Sequence, residues 1–230
     1  MELLKQAAEL VISGDKELFG IIGTTLLMAF FSTGISSLLG IPLGTFIGRA
    51  DFRGKNILLK VLSTLMSLPP VVAGLIVFML FRSVGPLGSF RLMFTVPIMV
   101  IAQVVLITPV ITYLSASSVG EKSAALTETA KGIGLSGAKQ LRLLISEFSG
   151  QLAGIVLMGF GRSIAEVGAV SLVGGNIQFK TRVMTTAILL EANKGNFQKA
   201  LALGILLMAI SFIVNFIAGA FTGGKHDKNK

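Results

Sequence analysis

Few residues of this 230-residue chain could do chemistry. It has one His, His226, and no Cys, so an imidazole base, a thiolate nucleophile or a Cys/His metal cluster cannot be assembled within it. Asp stands only at Asp15, Asp51 and Asp227, too scattered to serve a carboxylate-based hydrolase or a metal site. One charged constellation falls inside an apolar stretch: Arg162 and Glu166, spaced i, i+4, which on a helix share a face and can pair. Either charge alone would be costly in lipid, so the pair reads as part of a gate or as a packing contact that fixes helix register. Residues 219–226, GAFTGGKH, nearly spell a phosphate-binding loop, but His226 stands where Ser or Thr must follow the Lys, and no strand precedes it. Nucleotide hydrolysis is therefore not expected of this chain.

The elements that position these residues are apolar. Hydrophobic residues make up 53% of the chain, Gly adds 27 positions, and only 13% of residues are charged, gathered into short clusters. That composition excludes an ordinary soluble enzyme. The uncharged runs predict spans at about 18–48, 61–81, 92–120, 148–174 and 200–223, each long enough to cross a bilayer as a helix, whereas barrel strands would alternate over about ten residues. The expected architecture is an all-α polytopic membrane protein with five transmembrane helices forming a single domain over 1–230. The net charge of +9 is read as loop charge facing anionic lipid, with no nucleic-acid partner. The first residues set Lys5 and Lys16 against Glu2, Glu9, Asp15 and Glu17, the reverse of a signal-peptide n-region. Residues 2–13 are read as either a short interfacial helix or a polar tail. Lys and Arg are more numerous in 49–60, 121–147 and the tail than in the alternate segments, which favours an outside N-terminus and an inside C-terminus.

Within the spans, Gly40, Gly44 and Gly48 recur every four residues and offer a smooth stripe for a neighbouring helix. Pro42, Pro69, Pro70, Pro97 and Pro109 are expected to break or kink their helices. Ser63, Thr64, Ser67, Gln103 and Thr108 can offer dipoles to a passing anion but are equally ordinary helix glue, so no residue of a path is assigned.

Residues 121–147, EKSAALTETAKGIGLSGAKQLRLLISE, differ from the other loops: apolar residues interleave with charges, and Gly132, Gly134 and Gly137 sit in the middle. The pattern predicts two short helices, 124–131 and 137–146, the second capped by Ser136. Such a pair suits docking in a partner's groove or lying on the membrane surface.

Glu128-Thr129-Ala130 followed by Gly134 resembles the EAA loop of ABC-importer permeases, with Thr129 in place of the first Ala and without the family's closing Leu-Pro at 144–147. Residues 68–75 (LPPVVAGL), 85–88 (GPLG), 161–170 (GRSIAEVGAV) and 174–177 (GGNI) resemble permeases of the molybdate and tungstate type, most closely the tungstate branch. The resemblance implies a MetI-like permease in a bacterial or archaeal cytoplasmic membrane. It implies a homodimer with two cytoplasmic ATPase subunits docked on the 121–147 loop through Glu128, Ala130 and Gly134. It also implies an extracytoplasmic oxyanion-binding protein that delivers tungstate, or else molybdate. ATP and Mg would bind the ATPase, leaving no cofactor and no catalytic residue on this chain. The alternatives are a permease for another anion such as sulfate, or a stand-alone channel or secondary transporter, which would usually show internal repeats or several intramembrane carboxylates.

Overall fold

The computed structural model describes residues 16–120 and 123–223, with side chains described as far as Phe216. The 2–13 segment, Glu121, Lys122, His226 and the tail cations Lys225, Lys228 and Lys230 lie outside the described residues. The described residues are helical and contain no strand. Their order is α1 (Lys16–Arg49), α2 (Lys55–Met66), α3 (Pro70–Phe81), a 3₁₀ turn (Gly88–Phe90), α4 (Val96–Gly120), α5 (Ser123–Gly132), α6 (Gly137–Glu147), α7 (Ser149–Ala165), α8 (Gly168–Gly174), α9 (Met184–Asn193) and α10 (Phe197–Gly223).

Three of these, α1, α4 and α10, are long and apolar enough to cross a membrane; there are five if the interrupted pairs α2/α3 and α6/α7 each count as one span. The interruptions have local causes. Pro69 and Pro70 lack the N–H groups that would continue α2, and Pro70 then opens α3 at its first position, where no N–H is needed. Between α6 and α7 only Phe148 leaves the helix, and the chain bends by 74° there. The 148–174 run, read from the sequence as one span, is α7 and α8 separated at Glu166-Val167. Of the two outcomes expected of a proline, a break or a kink, Pro42 and Pro109 do not give a break, for both lie inside continuous helices. Transmembrane helices tolerate proline where neighbouring groups satisfy the freed carbonyl.

Contacts divide the chain into two compact units. The first is Met1–Ser32, Pro69–Gln103 and Gly161–Phe216; the second is Thr33–Leu68, Val104–Phe160 and Ile217–Lys230. In the first unit, Leu18 and Ile21 of α1 pack with Met184 and Ala187 of α9 and Leu203 of α10. There α3 lies along α8 so closely that a Cβ on Gly74 would stand 2.6 Å from the Cα of Ala169. A buried polar hub joins three helices: the Gln103 Oε1 accepts from the hydroxyls of Ser32 (2.7 Å) and Ser163 (2.6 Å), and its Nε2 donates to the Ser163 carbonyl at 2.8 Å.

In the second unit the glycine stripe does what its spacing predicts. A Cβ on Gly40 would come within 2.9 Å of Ile111 and one on Gly48 within 2.6 Å of the Ala116 carbonyl, while Gly44 faces the Thr112 carbonyl. Only glycine allows α1 and α4 this approach. Beside that seam, Ile107, Ile111 and Val119 of α4 pack with Leu144 of α6, Phe148, and Leu152 and Ile155 of α7.

Candidate functional site

Residues 123–147 of the loop fold as two helices, the first two residues and the second one residue longer than the sequence predicts, with Ser136 preceding α6 as expected but making no side-chain cap bond. The turn between them is a Schellman motif. The Leu135 N–H donates to the Ala130 carbonyl at 2.9 Å and the Gly134 N–H to the Lys131 carbonyl at 3.0 Å, which satisfies carbonyls left over at the end of α5. The motif needs a left-handed residue at Gly134, whose φ is +74°. A Cβ there would meet nothing within 4 Å, so backbone conformation rather than crowding within the chain calls for glycine.

The three sequence-predicted loop residues therefore have distinct places. Ala130 is buried, 2% exposed, and accepts the closing hydrogen bond; Glu128 is exposed one turn from the helix end; Gly134 is exposed at the turn. Ile133, 70% exposed, stands beside Gly134 as an apolar tip. Charged Glu128 and Lys131 flank that tip on the outer face of α5, while Leu126 turns inward to the core. An exposed apolar tip with a charged rim is the anatomy of a docking surface.

Two residues the sequence reading did not single out hold this loop in place. The Arg49 Nη1 at the end of α1 donates to the Gly137 carbonyl at 3.0 Å and reaches the Gln140 Oε1 at 3.4 Å. Gln140, 8% exposed, donates its Nε2 to the Leu135 carbonyl at 2.7 Å. The turn is thus clamped from α6 and from the end of a membrane span. Arg49 looked like one more inside cation, and nothing in sequence links it to a residue 88 positions away.

Arg162 and Glu166 are positioned differently from the continuous helix that their spacing suggests. Helix α7 ends at Ala165, so Glu166 leaves the helical register and turns its carboxylate onto the next element. The Ala169 N–H donates to Glu166 Oε1 at 3.1 Å, and the Thr185 hydroxyl donates to the Glu166 carbonyl at 2.8 Å. The carboxylate, on a residue 8% exposed, answers an orphan N–H in the first turn of α8. Gly168 follows because a Cβ there would stand 2.7 Å from the Val71 side chain of α3.

A second charged group, also unremarked in the sequence, lies at the α9–α10 turn. Glu191 accepts from Asn196 Nδ2 at 2.9 Å and pairs with Lys194 at 3.1 Å and Lys199 at 3.7 Å. The Asn196 amide first, then Lys194 and Lys199, hold its carboxyl below the usual carboxylate range against the opposing effect of burial. Elsewhere in the same unit, Arg182 pairs with Glu17 at 2.6 Å. Among the described residues no group of His, Asp and Glu could hold a metal ion.

Residues 40–224 match a family described as the binding-protein-dependent transport system inner membrane component. The tungstate uptake system permease protein TupB of Peptoclostridium acidaminophilum is 37% identical over 94% of this chain and 95% of that protein. A probable anion ABC transporter permease protein of Haloferax volcanii is 36% identical, over 94% of this chain and 98% of that protein. A sulfate transport system permease of Synechococcus elongatus is more distant, at 29% over 87% and 72% of the two chains. In fold, the chain superposes on a bacterial alginate ABC transporter, solved with a periplasmic protein bound, at a TM-score of 0.73, covering 94% of this chain and 84% of that one at 17% identity.

Proposed function

The chain belongs to the binding-protein-dependent transport system inner membrane components, and from that premise we propose that it passes a tetrahedral oxyanion, tungstate foremost and molybdate next, into the cytoplasm. As a member it is the membrane component of an ABC importer and not an enzyme. The observation that carries the reading is the clamped Schellman turn, which closes on the Ala130 carbonyl and leaves Glu128 and Gly134 exposed.

Two copies of the chain form the path, and two ATPase subunits dock on their 121–147 loops from the cytoplasm. ATP and Mg are held by those subunits. When the ATPases close, the clamp through Arg49 and Gln140 passes the movement of the turn to the end of α1, a coupling that needs different contacts in two states. An external binding protein delivers the anion. The N-terminus lies outside and the C-terminus inside, as the distribution of Lys and Arg favours. Arg162 and Glu166 act near the gate, Glu166 by holding the start of α8 against the end of α7. Tungstate is preferred because the relatives that match at 37% and 36% are described as tungstate and anion permeases, and the sulfate permease stands further off.

The test is uptake of tungstate, molybdate and sulfate, counted by elemental mass spectrometry, in cells lacking the chain and complemented with wild type or Gly134→Asp. Tungstate uptake lost in the deletion and in the variant, with sulfate unchanged, supports the reading. Unchanged uptake of all three in a deletion without a redundant importer overturns it.

A further inference from the structure

Helix α2 (Lys55–Met66) has no buried residue in this chain, although with α3 it makes up an interrupted pair of membrane-spanning length. Asn56, Lys60, Ser63, Thr64 and the following Ser67 are spaced i, i+4, i+7, i+8 and i+11. At 3.6 residues per turn they fall within an arc of about 100°, running about 16 Å along the axis. Ile57, Leu58, Leu59, Val61, Leu62, Leu65 and Met66 occupy the rest of the circumference, with Lys55 among them at the first position of the helix. We propose that this polar stripe lines the water-filled path and is where the oxyanion contacts the permease within the membrane. The proposal rests on the anion-permease reading above.

Two features favour a path over a helix floating on the membrane surface. The polar arc is narrow and the apolar one wide, which fits a helix whose apolar sides lie against lipid or a second copy, with one wet face. Its chemistry suits an anion: Lys60 brings positive charge, Asn56, Ser63 and Ser67 bring N–H and O–H donors, and residues 55–81 contain no Asp or Glu. Thr64 differs, since its hydroxyl donates to the Lys60 carbonyl at 2.9 Å and so turns only lone pairs outward. Lys55 is also set apart, its Nζ donating to the Gly48 carbonyl at 2.7 Å.

The absence of Cys from the chain makes the test direct. Single variants Thr64→Cys and Ser67→Cys, with Val61→Cys as an apolar-side control, are reconstituted with the ATPase and the binding protein. They are then treated with a charged, membrane-impermeant thiosulfonate. Labelling at 64 and 67 should change severalfold between nucleotide-free and vanadate-trapped states and slow in the presence of tungstate, with 61 unresponsive. Labelling that is absent, or indifferent to nucleotide and anion, overturns the stripe. Lys60→Gln should raise the KM for tungstate uptake severalfold with ATPase coupling intact, and Lys60→Arg should restore it. State-dependent labelling in a protein that takes up none of the three oxyanions overturns the substrate reading while upholding the wet stripe.

Discussion

At the scale of single residues, conformation and charge assign the roles. Gly134 holds φ +74° with open space around it, so Gly134→Ala should cost about 1 kcal/mol through left-handed strain alone. Gly134→Asp adds charge at the exposed turn and, on the proposed docking role, should leave the chain inserted while separating ATP hydrolysis from uptake; comparing ATPase rate with anion uptake checks this. Arg162→Ala should impair transport more than Arg162→Ala combined with Glu166→Ala, if the cost is a carboxylate stranded in an apolar setting. A double variant as impaired as the worse single one would instead favour a direct gating role. For Glu191 the sign is definite. Its folded-state carboxyl is held below its unfolded value, ordinarily about 4.3. Its contribution to stability is therefore present above that pH and lost as pH falls through the lower, folded value. Melting curves of wild type and Glu191→Gln should converge on acidification and separate near neutrality.

At the scale of elements, packing quality decides. The α1–α4 seam is built on backbone approach at Gly40, Gly44 and Gly48, so Gly44→Val must push against the Thr112 carbonyl and the Ser115 side chain. Overpacking of this kind costs about 1–3 kcal/mol, which a melting curve in detergent would show. Gln103 is fully buried and satisfies two hydroxyls and a carbonyl at once. Gln103→Leu removes the shared acceptor for Ser32 and Ser163 and should destabilise by about 1–3 kcal/mol in the same assay. The two helices of the 121–147 loop depend on elements far away in sequence, because Leu144 and Leu126 pack into the core formed by α4 and α7 while Arg49 holds the first turn of α6.

At the scale of the whole molecule, the described residues form a helical membrane component whose apolar surface is large. Phe30 on α1 and Met208, Phe212 and Phe216 on α10 are each more than two-thirds exposed, as spans bathed in lipid require. Orientation is a whole-molecule property. With the N-terminus outside, a cysteine introduced at Gln178 should be modified by an impermeant thiol reagent in intact cells, and one at Lys139 only after permeabilisation. The reverse pattern would invert the proposed topology and place the 121–147 loop beyond reach of a cytoplasmic ATPase.

Hydrophobicity and spacing alone determined that the chain is helical and membrane-spanning, where its apolar runs fall, that Gly40, Gly44 and Gly48 form a packing face, and that 121–147 is a broken helix pair. These are local or periodic properties, and an apolar run of helix length has few other ways to satisfy its backbone in lipid. Tertiary structure decided the rest. It ended α7 before Glu166, because the carboxylate caps α8 and Gly168 fits against Val71, a contact with a residue nearly a hundred positions away. It kept α1 and α4 continuous through Pro42 and Pro109. It recruited Arg49 and Gln140 to clamp the turn and gathered Ser32, Gln103 and Ser163 into one hub. Each of those depends on which helices become neighbours, and pairing between distant segments is information that no local window of sequence contains.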